Sequence, residues 1–406
     1  MKISMVSAEY PPMQGGVGDC TRELARALLA MGHQVNVITS RKVAGLAGLE
    51  PETGAEPTLM PVVKRWNWGS WKSVNQALQL ERPDIVHIQY QTAAYAMHPA
   101  INLLPLWLHT IDRHRAVVTT LHDLRVPYLC PKAGMLRTWV TNALPRWSDA
   151  TVTTNVEDYR RLEASHWQGS VPRGNIHLVP IGSNIRPLKP AGFDRGAWRR
   201  DMGLAEDELL LCYFGFLNES KGAETLLRSL AELRHRERRA KLVMIGGQLG
   251  DSDPTNEAYA KRVHELGEEL GIADLVLWTG YTDGVDVTAN LLAADICVLP
   301  YRDGVSFRRG SFMAALAHGL PIVSTSPRGS SDELVDGKNI LLVAPDDVGG
   351  IADAVEKLAD DVELKMSLAE GALQLAARFT WEHIAQQTVQ VYEMLVRNKS
   401  RERAQS

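Results

Sequence analysis

The chain of 406 residues carries 44 Lys and Arg against 48 Asp and Glu, a formal charge of −4, with 45% hydrophobic and 23% charged residues. That length accommodates two or three domains with sizeable cores, and the balance excludes disordered and collagen-like chains and gives no reason to expect a nucleic-acid partner. The charge is uneven, since residues 1–200 hold 23 basic and 15 acidic side chains and the remainder 21 and 33, so two parts with different partners are expected.

In chain order, KISMVS at 2–7 reads as a buried strand. The apolar run it opens meets Glu9, Pro11 and Pro12, too soon for a signal peptide, and this predicts a cytoplasmic protein. The helix DCTRELARALLAMGH follows, with Leu24, Leu28 and Met31 on one stripe and Gly32 as its stop. QVNVIT, DIVHIQ, AVVTTL and DATVTT are further buried strands between helical patterns. The most apolar stretch, INLLPLWLHTI, is shorter than the ~18 residues of a membrane span and contains Pro105. VVKRWNWGSWKS mixes Lys64, Arg65 and Lys72 with Trp66, Trp68 and Trp71; it suits peripheral contact with a membrane surface, and its tryptophans suit a core or an acceptor groove still better.

Residues 183–195, with two prolines and a glycine, read as a linker between a first domain at 1–190 and a second at 191–379. The rhythm then restarts with LLLCYFGF, KGAETLLRSLAELRHR, KLVMIGG, NEAYAKRVHELGEEL, LVLWTG, DICVLP and PIVST. Strands alternating with helices imply two doubly wound parallel sheets, with a ligand cleft at the carboxyl ends of their strands. The four cysteines, Cys20, Cys130, Cys212 and Cys297, form no CxxC pair, so neither a zinc site nor a disulfide framework is expected.

Chemistry is expected in the strand-to-helix loops. AEYPPMQGGVGDC brings Gly15, Gly16 and Gly18 to a helix start whose free N–H groups favour an anion. It is not the dinucleotide fingerprint, because Thr21 stands where the third glycine belongs; this opposes an oxidoreductase. His122 and Asp123 follow a strand, where a histidine either meets a sugar hydroxyl or is simply structural. GFLNESKG sets Lys221 at a helix start behind the cap candidates Asn218 and Ser220, and RDGVSFRRGSFMAALAHG repeats the pattern with Arg308 and Arg309. A helix dipole disfavours cations at that end, so a diphosphate between the two junctions is the expected counter-charge.

GGVG, HD, GFLNESKG, ALAHGLPIVST and DELVDGKNILLVAPDD, in this order, resemble glycosyltransferase family 4. The resemblance extends to FTWEHIAQQTVQVYEMLVRN, whose helix near 380–397 would return to the first domain. It implies a GT-B fold of two Rossmann-like domains facing across a cleft. It also implies transfer of a hexose from a nucleotide sugar with retention, with no metal and no cofactor, to a glycan, glycolipid or small acceptor. Catalytic roles fall to His122, Asp303 and Lys221. Donor binding falls to Gly15, Gly16, Val17, Gly18, Phe216, Asn218, Lys221, Tyr281, Val305, Ser306, Phe307, Arg308, Arg309, Gly310 and Ser311. Two departures stand out. Ser306 and Ala314 replace the family's paired glutamates, and Phe216 replaces an arginine. Arg308 and Arg309 then supply the missing positive charge and Asp303 the contact to the donor sugar, while a non-catalytic sugar-nucleotide-binding relative is the alternative.

Overall fold

The computed structural model of the protein describes residues 1–45, 55–124, 134–164, 175–246, 255–329 and 331–405. Cys130 lies outside them. The chain divides into two compact units, Met1–Gly182 with Trp381–Ser406, and Ser183–Thr380.

The first unit is built on seven parallel strands: β1 (Lys2–Ser7), β2 (Gln34–Ser40), β3 (Thr58–Val63), β4 (Ile85–Tyr90), β5 (Ala116–Leu121), β6 (Ala150–Thr153) and β7 (Ile176–Leu178). They lie in the order 3-2-1-4-5-6-7. Side chains alternate across each strand, and both faces of this sheet are covered, which is why β1 reads as an unbroken apolar run. Ile3 and Met5 enter one core with Leu24 and Leu28 of the helix Gly16–Ala30 and with Ile384, Tyr392 and Leu395 of the helix Trp381–Gln405. Val6 enters the other, with Ile38, Ile88, Leu78 and Leu104. Leu28 is fully buried, and burial of such a side chain contributes about 1.5–3 kcal/mol. Met31, expected on that stripe, is 40% exposed because the helix has already ended; Gly32, at φ +83°, reverses the chain as expected.

The second unit carries six parallel strands, β8 (Leu209–Phe214), β9 (Ala240–Ile245), β10 (Val276–Gly280), β11 (Ile296–Leu299), β12 (Ile322–Thr325) and β13 (Leu341–Val343), in the order 10-9-8-11-12-13. Cys212 and Cys297 are register partners on β8 and β11, both free and buried. In each sheet the strand order reverses once, between β1 and β4 and between β8 and β11. Loops leaving the carboxyl ends of those neighbours diverge, and open α/β sheets take their ligands there. β3, β7 and β13 escape a reading of the sequence, because β3 contains Pro61 and exposes its first two residues and the other two are three residues long.

Candidate active site

At the second reversal point β8 is followed by Gly215, at φ +115°. The chain turns through Asn218 and a single tight turn, Glu219–Lys221, and Gly222 at φ +71° releases it into the helix Ala223–His235. Lys221 therefore precedes the helix rather than opening it. Asn218 caps no helix with its side chain; its Oδ1 accepts the Ser220 hydroxyl at 2.8 Å. The turn is tight because Gly222 lies against the end of β11, where an added Cβ would stand 2.0 Å from the Pro300 carbonyl oxygen. A Cβ on Gly215 would meet Lys221 Nζ at 2.7 Å and Ser311 Oγ at 3.8 Å, so the bare glycine lets the ammonium and the first turn of the helix Gly310–Ala317 converge. Among the described residues no hydrogen-bond acceptor or carboxylate pairs with Lys221 Nζ. Burial, and then the nearby Arg309 charge, lower its pKa to about 7.

The loop after β11 supplies the rest. Gly304, at φ +82°, reverses the chain against the backbone of Ser326–Arg328, where a Cβ would stand 2.5 Å from the Ser326 carbonyl oxygen. This returns Arg308 and Arg309 onto Asp303: Arg308 Nη2 donates to Oδ2 at 3.2 Å and Arg309 Nη2 to Oδ1. Arg309 also reaches Ser220 Oγ at 3.4 Å, lies 4.7 Å from the centre of the Tyr301 ring, and keeps a buried Nε–H without a partner. The Tyr301 hydroxyl is 2.7 Å from Ser311 Oγ, which ties that platform to the helix. Neither arginine is helical, since Arg309 is the N-cap and Arg308 sits in the turn before it.

Asp303, expected at the donor sugar, accepts from both arginines through its two carboxylate oxygens. Phe307 stacks on Phe379 at 4.8 Å and packs against Phe312, while Val305 is 2% exposed; both hold the loop in place. Ala314 is fully buried and Ser306 accepts from the Arg308 backbone N–H at 3.5 Å. The Phe216 carbonyl accepts the Tyr213 hydroxyl at 3.3 Å. Tyr281 is 61% exposed just past β10. Gly310 and Ser311 form the first turn of their helix. The neighbouring carboxylates Glu219, Glu224 and Asp346 are all engaged by Arg302 at 3.0–3.2 Å. Among the described residues, therefore, Lys221 beside Gly215 has no carboxylate partner, and the neighbouring Arg309 shares Asp303 with Arg308.

The first unit is furnished differently. Gly15 and Gly18 are closely packed: a Cβ on Gly15 would stand 2.0 Å from Glu9 Oε2, and one on Gly18 would stand 3.0 Å from the Glu9–Tyr10 backbone; Gly16 has open space and Val17 is buried. The carboxylate of Glu9, itself 5% exposed, thus already lies at the start of the helix Gly16–Ala30. His122, just past β5, brings Nε2 within 2.9 Å of Gln89 Oε1, and burial lowers its pKa to about 4. Behind it lie His87, Thr120 and Tyr392, none of them singled out in the sequence. His and Gln inside a strand buried on both faces, as in HIQ at 87–89, was the available signal, because buried polar groups persist only with partners. Of the tryptophans, Trp66 and Trp71 pack on the core, Trp71 stacks on Trp107 at 5.0 Å, and Trp68 is 49% exposed. Among the described residues no helix is long and apolar enough to cross a membrane, and no three His, Cys, Asp or Glu side chains gather as for a metal.

Two open parallel sheets, each with one strand-order reversal and helices on both faces, define the GT-B fold class. The profile described as Glycosyltransferase Family 4 matches residues 14–186, and that described as Glycosyl transferases group 1 matches 208–361. The chain belongs to glycosyltransferase family 4. It is 33% identical over 244 residues, 58% of its own length and 54% of the relative, to a D-inositol 3-phosphate glycosyltransferase of Catenulispora acidiphila. It thus spans about half the length of the first curated relatives it matches. Its fold is similar to sucrose-phosphate synthase from Thermosynechococcus elongatus, with a TM-score of 0.75 at 20% identity over 97% of this chain and 99% of that one. Anabaena HepE in complex with UDP and glucose gives 0.74 at 19% identity over 97% and 100%.

Proposed function

We propose that the protein transfers a hexose, with retention, from a nucleoside-diphosphate sugar to a hydroxyl of a glycan or lipid-linked acceptor. The observation that carries this reading is the excess of cations beside the amino end of the helix Gly310–Ala317: among the described residues Lys221 has no carboxylate partner, and Arg308 and Arg309 share Asp303. A diphosphate supplies the missing negative charge, and guanidinium forks match its oxygens. In the reaction the bond from the anomeric carbon to the phosphate oxygen breaks and its electron pair stays on that oxygen. The acceptor hydroxyl bonds the anomeric carbon on the same face and gives its proton to the departing phosphate. Fixed cations at the developing charge lower the barrier to that departure. Lys221, partly neutral while the site is empty, becomes fully charged against the diphosphate.

The test is a panel of UDP-, GDP- and ADP-sugars, UDP-sugars first because HepE is recorded with UDP, read by thermal stabilisation and by release of nucleoside diphosphate. Stabilisation with turnover supports the reading. Stabilisation without turnover across acceptors makes the chain a sugar-nucleotide-binding relative, and no response to any member overturns both.

A further inference from the structure

The first unit contains a chain of buried polar side chains that ends at His122. Its far end is Tyr392 on the helix Trp381–Gln405, whose hydroxyl lies 2.6 Å from His87 Nδ1; His87 Nε2 lies 2.7 Å from Thr120 Oγ1. Both nitrogens of that ring are thus occupied by hydroxyls. Burial lowers the His87 pKa to about 3 and holds Tyr392 well above the usual phenol value, so the ring is neutral and the phenol keeps its proton. The phenol is the stronger donor of the two hydroxyls and donates to Nδ1, leaving His87 Nε2–H to donate to Thr120.

Gln89 Nε2 stands 3.4 and 3.2 Å from the two ring nitrogens of His87. An in-plane approach equidistant from both would drive it into the carbon between them, so the amide nitrogen lies over the ring face. There an N–H meets π density favourably and an amide oxygen would not. This settles which way the amide points: its oxygen faces His122 Nε2 at 2.9 Å and must accept. Among the described residues nothing bonds His122 Nδ1.

We propose that Tyr392, His87 and Gln89 are positioning residues that hold His122 as its Nε2–H tautomer, so that Nδ1 presents a lone pair to a substrate hydroxyl. The chain requires the returning C-terminal helix, and it makes His122 an acceptor in the substrate complex rather than a donor. This assignment rests on the glycosyltransferase reading only for the identity of the substrate; the tautomer is a property of the free protein.

Histidine-selective ¹⁵N labelling and two-bond ¹H–¹⁵N correlation at neutral pH read the tautomer without any ligand. Wild type is expected to show His122 protonated at Nε2 alone. Gln89→Leu, which removes the acceptor, mixes the tautomers. Tyr392→Phe shifts the His87 resonances directly and broadens those of His122. Should the panel identify a substrate pair, Gln89→Leu is expected to lower kcat roughly three- to tenfold, the range of one lost hydrogen bond, with the donor KM unchanged. An Nδ1–H tautomer in wild type, or an unaltered His122 spectrum in folded Gln89→Leu, overturns the assignment. Absence of turnover in every protein leaves the spectra to decide it and counts only against the glycosyltransferase reading.

Discussion

The two units place opposite charges at equivalent points of similar folds. Where the first sheet reverses its strand order, the glycine loop closes on the carboxylate of Glu9, and His87 and His122 are kept neutral by burial. At the corresponding point of the second sheet the loops carry Lys221, Arg308 and Arg309, with Asp303 the single carboxylate paired with them among the described residues. Both positions adjoin helix starts, which attract anions. The first unit has filled that demand with its own side chain, and the second has reinforced it. Under the proposed reading the anionic ligand belongs to the second unit, whereas the glycine loop, expected to share the diphosphate, already faces the Glu9 carboxylate. What the first unit retains is hydrogen-bonding capacity, suited to hydroxyls.

The largest effect expected from breaking this contrast concerns the backbone. Gly222→Ala forces a side chain onto a residue at φ +71° and to within 2.0 Å of the Pro300 carbonyl oxygen. Strain and overpacking together are expected to cost about 2–5 kcal/mol. Gly16→Ala in the first loop meets nothing within 4 Å and is expected to leave stability within about 0.5 kcal/mol. Urea unfolding of both variants measures the difference; equal midpoints would show that close approach does not hold the second loop.

Next comes charge. Arg309→Ala removes a guanidinium that touches Asp303, Ser220 and the face of Tyr301. A charge-assisted hydrogen bond is worth about 1.5–3 kcal/mol, so nucleoside diphosphate affinity is expected to fall tenfold or more. Glu9→Gln in the first unit is expected to leave that affinity unchanged. Isothermal calorimetry with the nucleoside diphosphate selected by the panel decides, and the reverse ranking would move the anion site to the glycine loop.

Both sheets were legible in the sequence because parallel strands buried on two faces read as apolar runs. Lys221 and the paired arginines were legible too, as cations where a helix dipole disfavours them. That both arginines close on the two oxygens of Asp303 was not. It depends on Gly304 turning the chain back on itself, and no spacing rule covers a residue five or six positions away outside a helix. The chain behind His122 was hidden for a different reason, since His87 and Tyr392 are 305 positions apart and meet only once the C-terminal helix has docked.

The contrast also has a pH signature. With its pKa lowered to about 7 by burial and by Arg309, Lys221 in the folded protein releases a proton that the unfolded chain still holds until about pH 10.5. Its charged form therefore costs stability below pH 7, and this cost is relieved as pH rises through that window. A bound diphosphate reverses the preference and draws the proton back. At pH 8 binding is expected to take up nearly one proton, and affinity to weaken with each further pH unit. Calorimetry in two buffers of different ionisation enthalpy counts the protons, and subtraction of the Lys221→Met uptake isolates the lysine. Equal uptake by both proteins would place the titration elsewhere. The neutral histidines of the first unit contribute none, since both titrate far below pH 8.

The smallest effect expected is also the one that separates two roles for Asp303. Its oxygens are held by Arg308 and Arg309, and its side chain is 13% exposed. If its work is to neutralise and orient those arginines, Asp303→Asn removes one negative charge from beside the diphosphate and keeps an oxygen for one guanidinium. The gain from lost repulsion is then partly offset by looser orientation of the other guanidinium. Nucleoside diphosphate affinity is expected to rise by about threefold, consistent with the ~1 kcal/mol or less typical of a partly solvated pair. If instead Asp303 works by holding the donor sugar, the nucleoside diphosphate, which carries no sugar, binds as to wild type, while the intact nucleotide sugar loses tenfold or more. Paired titrations with the two ligands distinguish these outcomes. Because the substitution leaves Lys221 untouched, they also show whether the second unit's positive excess is set by its cations alone or by how few carboxylates it keeps beside them.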